Sequence, residues 1–257
     1  MTESILQARW NRVSTLEGPL GPVNVHVYDD ANGALFVMLR LIEDVLATAI
    51  AERGQALWIG AGGGTPKPVY EQLDTLNVPW DKVTLSQVDE RFVPLDDAAS
   101  NTKMMGEAAA PVIAKGMVFE TLIRDITDPV VCAAKAEALL RSFNGGEAPM
   151  FDLTLLGMGP DMHYASIFPG HPINATVYDT EALVLPVVPA TGGIEPKLPR
   201  ITLSVKALNR SRRIVLYITG FEKLRALEAA VADPNPDRSP IGAFLAQCPA
   251  PVDIVWG

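Results

Sequence analysis

Asp161 and His163 follow an apolar run, Phe151 to Leu156, across the turn Gly157-Met158-Gly159-Pro160. Ligands of α/β sheets bind outside the carboxyl ends of the strands, so a histidine delivered there stands at the mouth of a crevice. An imidazole, with an ordinary pKa of ~6.5, takes and returns protons near neutral pH. The plainer reading is a surface histidine that helps to cap the next helix, and the rest of the chain has to decide between them.

Three other segments carry chemistry. Gly60-Ala61-Gly62-Gly63-Gly64-Thr65-Pro66 lies between a strand pattern and a helix pattern, where glycines let backbone N–H groups approach a phosphate. Thr65 stands in place of the last glycine of G-x-G-x-x-G, and no Gly-Lys-Ser/Thr closes a Walker loop, so the segment reads as an anion cradle of another kind or as a tight turn. Pro66 suits the first turn of the helix that follows. Asp89-Glu90-Arg91 ends the next apolar run, and Arg91 there can clamp an oxyanion or pair with Asp89; a surface ion-pair network is the plainer reading. Ser100 or Asn101 then starts a helix. Arg200 and Lys223 supply cations near two further strand patterns. A lysine near a helix start opposes the macrodipole, so Lys223 hints at an anion close by.

The elements that must position these residues alternate. Strands are expected at Val23–Tyr28, Ala56–Ala61, Val83–Val88, Phe119–Ile123, Phe151–Gly157, Leu183–Val188, Arg213–Thr219 and Val252–Trp256. Helices are expected at Ala34–Arg53, Pro68–Leu76, Asn101–Ile113, Pro129–Phe143 and Glu222–Val231, with loops at Asn144–Pro149 and Pro189–Pro199. Such a rhythm implies an α/β fold, a mostly parallel sheet with helices on both faces. The 257 residues, 48% of them hydrophobic, suffice for one large domain spanning 1–257.

A formal charge of −9 argues against nucleic-acid and anionic-membrane surfaces, so an anionic ligand has to be held by a local cluster of donors. Cys132 and Cys248 show no metal-ligand spacing and read as free thiols of a reducing compartment. MTESILQARW lacks an apolar leader core, and the expectation is a cytoplasmic protein. His26, His163 and His171 have no ligand spacing, so neither a metal nor another cofactor is expected.

Five segments in order, GGGTP at Gly62–Pro66, VDERFVP at Val88–Pro94 with Ser100-Asn101 after it, LGMGPDMHYASIFPG at Leu156–Gly170, PRITL at Pro199–Leu203 and TGFEK at Thr219–Lys223, resemble the 6-phosphogluconolactonase family over most of the chain. The resemblance implies a Rossmann-like sheet similar to that of glucosamine-6-phosphate deaminases. It implies an esterase of the oxidative pentose phosphate pathway that hydrolyses 6-phospho-D-glucono-1,5-lactone to 6-phosphogluconate. The family usually has serine where this chain has Gly64, glycine where it has Met162, and more commonly threonine at Tyr164. The deaminases carry a glutamate where this chain has Phe168, and commonly a tyrosine at Arg91, which favours the lactonase.

Lactone hydrolysis needs an activated water, a donor for the oxyanion and a proton for the leaving alkoxide. His163 is expected to serve both proton steps, Asp161 to orient the loop or the ring, and Arg91 to steady the carbonyl oxygen or substrate hydroxyls. Asp89 and Asn101 are expected to shape the sugar site, with the Gly63-Gly64-Thr65 backbone, Arg200 and Lys223 on the phosphate. Ser166 lacks a G-x-S-x-G elbow and is a poor nucleophile candidate. The partner is then a small sugar phosphate lactone, with a monomer or homodimer both open. A deaminase-like enzyme and a non-catalytic sugar-phosphate sensor remain the alternatives.

Overall fold

The computed structural model describes residues 13–18, 21–27, 31–188 and 197–257, the first two stretches and residue 31 through their backbone alone. The strands are β1 (Val13–Gly18), β2 (Gly21–Val27), β3 (Ala56–Gly60), β4 (Val83–Gln87), β5 (Asp89–Arg91), β6 (Val118–Phe119), β7 (Leu153–Leu156), β8 (Val184–Val187), β9 (Arg200–Leu203), β10 (Ile214–Ile218) and β11 (Val252–Trp256). The helices are α1 (Ala31–Arg53), α2 (Lys67–Glu71), α3 (Asn101–Ala108), α4 (Ala110–Ile113), α5 (Pro129–Ser142), α6 (Asn174–Val177), α7 (Val205–Leu208), α8 (Phe221–Ala232) and α9 (Pro240–Gln247). MTESILQARW, Tyr28 of the expected Val23–Tyr28 strand and most of the Pro189–Pro199 loop lie outside the described residues.

An eight-stranded sheet runs in the order β1-β2-β11-β10-β7-β3-β4-β6, parallel throughout except for the β1–β2 hairpin. Its central strands are apolar on both faces, as in β10, where every residue is buried. Successive residues feed two cores. Trp58, Leu155, Tyr217 and Val255 pack with α1, whose Met38, Ile42 and Leu46 recur at helical spacing. Ile59, Leu156, Leu216 and Ile254 pack on the other face with α5, α8 and α9. The carboxyl ends of β3, β4, β7 and β10 therefore open along one rim, where the Gly62–Pro66, Asp89–Arg91, Gly157–Gly170 and Thr219–Lys223 segments lie.

Three expectations are corrected. The Asn101–Ile113 helix is two helices, because Pro111 cannot donate to residue 107 and the chain restarts at Ala110. The Phe119–Ile123 strand stops at Phe119, since the Leu122 N–H is drawn to Gln87 Oε1 at 3.0 Å. Leu183–Val188 does not join the main sheet. Its core, β8, is only half-buried at its middle positions and forms a separate antiparallel sheet in the order β5-β9-β8.

Candidate active site

The small sheet determines where the charged residues point. β5 follows β4 after Val88 alone and pairs with β9, setting Asp89 opposite Thr202 and Arg91 opposite Arg200. Strand alternation puts Asp89 and Arg91 on one side and Glu90 on the other. Two guanidiniums directly across an antiparallel pair repel each other, an arrangement that suits a site for an anion. Arg91 Nη1 donates to Ala99 O at 2.7 Å, while its buried Nε has no partner among the described residues. Burial pulls the Arg200 guanidinium below its ordinary range; Asp89 opposes this and Arg91 adds to it. Asp89 pairs with Arg200 rather than Arg91, its Oδ2 lying 3.8 Å from Arg200 Nη1.

Glu90 is fully buried, which excludes the surface ion-pair reading for this turn. Its carboxylate accepts from the backbone N–H groups of Arg91, Asn101 and Thr102 and from Gln87 Nε2. It thereby ties β5 to the start of α3, where Ser100 is the N-cap and accepts from Lys103 N. Asn101 in turn donates from Nδ2 to Asp89 O at 3.3 Å.

The glycine loop approaches from β3. Gly63 has φ of 102°, a conformation that a side chain would strain. Pro66 sits at the cap of α2 rather than inside its first turn, with Pro68 within that turn. Tyr70, buried in α2, donates to Ala61 O at 2.7 Å and fixes the loop from below; burial raises its phenol, so it remains a donor. A Cβ at Gly64 would meet nothing within 4 Å, so the residue leaves open space beside Thr65. Lys223, in the first turn of α8, reaches Thr65 Oγ1 at 3.4 Å. Burial lowers its ammonium pKa, with Glu222 opposing the shift.

The histidine loop closes the site. Asp161 Oδ1 lies 2.5 Å from His163 Nδ1 and also accepts from the His163 backbone N–H at 3.3 Å. Partial burial raises the Asp161 carboxyl pKa, but its hydrogen bonds to His163 and the charge there outweigh burial, so the net pKa is lowered. A Cβ on Gly159 would fall 2.3 Å from the His163 ring, so only glycine allows this approach. Met162 adopts φ of 69°, and Ala165 φ of 46°, inside a turn closed by Ile167 N donating to Tyr164 O at 2.9 Å. Tyr164 is anchored against Phe244, with ring centroids 5.0 Å apart. Ser166 is buried and donates to Asp89 Oδ2 at 2.5 Å, holding the carboxylate rather than offering a nucleophile.

Gly63, Gly64, Thr65, Asp89, Arg91, Asn101, His163, Arg200 and Lys223 line one cleft of about 190 Å³, with Asp161 behind the histidine. The residues expected at the catalytic and substrate-binding positions are thus brought to one place. The sequence reading missed Tyr70, left Glu90 as part of a surface ion-pair network, and rejected Ser166 as a nucleophile without its role in holding Asp89. Among the described residues no group of three or more His, Cys, Asp or Glu could hold a metal ion, and no helix is long and apolar enough to cross a membrane.

The family model described as glucosamine-6-phosphate isomerases/6-phosphogluconolactonase matches residues 30–256. A 6-phosphogluconolactonase of Caulobacter vibrioides is 37% identical over 246 residues, spanning 93% of this chain and 99% of that protein. One of Mesorhizobium japonicum is 35% identical over 235 residues, spanning 91% and 94%. The crystal structure of a 6-phosphogluconolactonase from Shewanella baltica superposes with a TM-score of 0.84 at 29% identity, covering 95% of this chain and 99% of that one.

Proposed function

The chain belongs to the glucosamine-6-phosphate isomerase/6-phosphogluconolactonase family, and from that premise we propose that it hydrolyses 6-phospho-D-glucono-1,5-lactone to 6-phosphogluconate with His163 as general base and acid. The observation that carries the reading is the cleft itself. It has an imidazole fixed by a carboxylate at one side and two arginines and a lysine around the rest.

The mechanism uses these groups in turn. Asp161 accepts from Nδ1–H and leaves Nε2, which has no partner among the described residues, as the basic nitrogen. Nε2 takes a proton from water as the water oxygen attacks the lactone carbonyl. The Asp161 carboxylate, held anionic below the usual range, balances the imidazolium that forms. Arg91 donates to the carbonyl oxygen as it becomes an oxyanion. Collapse breaks the bond to the ring oxygen, and Nε2–H returns the proton to that alkoxide. Lys223, Arg200 and the Gly63-Gly64-Thr65 backbone hold the remote phosphate, while Asp89 and Asn101 hold sugar hydroxyls. Anchoring that end fixes the carbonyl relative to His163, which can lower the barrier by several kcal/mol.

Amine release from an aminosugar phosphate calls for a second proton shuttle, and the side chain stacked on His163 is the phenyl ring of Phe168. Both cysteines are free, which agrees with action in the cytoplasm; the reading takes the chain as a single domain acting as a monomer or homodimer. The test is an assay on freshly generated 6-phosphogluconolactone, corrected for spontaneous hydrolysis. Acceleration is expected. Binding without acceleration, or ammonia release from glucosamine 6-phosphate, overturns the reading.

A further inference from the structure

Phe168 lies five residues beyond His163 yet returns to it. The turn closed by Ile167 N and Tyr164 O, with Ala165 at positive φ, reverses the chain so that the phenyl ring stacks on the imidazole, with centroids 4.6 Å apart and planes 30° apart. The Arg200 guanidinium carbon lies 5.1 Å from the centroid of the same ring. The backbone behind the ring is pinned, for Phe168 O accepts from Asn174 Nδ2 at 2.9 Å, and that amide also donates to Pro236 O. Phe168 is 4% exposed, so its ring is held away from solvent.

We propose that Phe168 is a positioning residue, a fixed aromatic platform that orients the His163 ring and the Arg200 guanidinium toward one substrate. Asp161 holds the imidazole at one nitrogen, which leaves the ring free to swing about that hydrogen bond. A face-to-face neighbour removes the swing and aims Nε2. The face of an aromatic ring is also electronegative, so it favours both the imidazolium formed during turnover and the guanidinium beside it. An aliphatic side chain of similar bulk fills the volume without supplying either effect.

The proposal rests on His163 being the base, and the experiment separates the two. Phe168→Leu, Phe168→Tyr and His163→Ala are compared with the wild-type chain, with kcat expressed per 6-phosphogluconate site counted by calorimetry so that a misfolded fraction does not register. Phe168→Leu is expected to lower kcat per site roughly 3- to 30-fold, as loss of a cation–aromatic contact predicts. Phe168→Tyr is expected to restore it to within about twofold, because the ring face is kept. In the wild-type protein, the His163 ring protons are expected to resonate upfield of those of an imidazole with no ring over it. Unchanged kcat per site in Phe168→Leu, or ring protons without an upfield shift, overturns the platform. Unchanged kcat in His163→Ala overturns the base assignment instead.

Discussion

At the amino-terminal ends of the main strands, Arg53 reaches Asp152 Oδ1 at 2.9 Å, Arg212 reaches the same oxygen at 3.3 Å, and Arg213 meets Asp253 at 2.5 Å. At the carboxyl ends, Arg91 donates to a carbonyl, Lys223 touches a hydroxyl at 3.4 Å, and Arg200 lies 3.8 Å from Asp89. Both rims gather cations in an acidic protein. In one, close carboxylates compensate them, and Asp152 also accepts the Leu57 N–H at the start of β3. In the other, burial depresses Arg200 and Lys223, while Asp89 and Glu90 oppose the shift at Arg200 and Glu222 opposes it at Lys223. A cluster whose cations meet close carboxylates serves the fold, whereas Arg91 on a carbonyl and Lys223 on a hydroxyl leave room for an anion.

The contrast breaks most visibly at His163. His163→Ala is expected to reduce kcat about 100- to 10,000-fold, the range of general acid–base catalysis, with KM nearly unchanged in steady-state kinetics. Lys223→Ala is expected to raise KM roughly 10- to 100-fold with kcat nearly intact, as loss of a charge-assisted contact predicts. The pH dependence sharpens the same point. Burial disfavours the Lys223 ammonium, so this penalty is present below its lowered pKa and fades as pH rises toward the ordinary 10.5. A phosphate favours the charged form, so affinity for 6-phosphogluconate should fall as pH rises through the lowered pKa. Calorimetric titration of Lys223→Ala should lack that limb.

The opposite rim should respond in the opposite currency. Asp152→Ala strips two arginines and a backbone N–H of their acceptor and is expected to lower stability by about 1–3 kcal/mol in denaturant unfolding. Its kcat/KM per folded molecule should equal that of the unmodified chain, and a loss there would erase the distinction between the rims. The smallest effect is expected at Met162→Gly. Relief of the left-handed backbone opposes the loss of a half-buried side chain and the greater freedom of an unfolded glycine, leaving a net change within about 1 kcal/mol. Thermal unfolding measures it, and kcat should change far less than in His163→Ala.

The long elements were legible because their own residues dictate them. β11 falls at the expected Val252–Trp256, and α1 and β10 within a few residues, since their apolar residues repeat at one period over a long enough stretch. The small sheet was not, because β5, β8 and β9 are three or four residues long and pair only through register set by distant chain. PRITL was visible as a motif but not as the strand that brings Arg200 to Arg91. At the site, residue types were readable, and contacts were not. The Asp161–His163 hydrogen bond depends on Gly159 giving way, and the stacking of Phe168 depends on a positive φ at Ala165. Glu90 looked like one more surface charge; only the fold reveals it as the acceptor joining β5 to α3.

A crystal structure of the complex with 6-phosphogluconate tests the central claim most directly. The account predicts the phosphate between the Gly63–Thr65 backbone and Lys223, with the carboxylate within hydrogen-bond reach of His163 Nε2 and Arg91. A phosphate bound beside Arg53 and Arg212, or a carboxylate out of reach of His163, would contradict it.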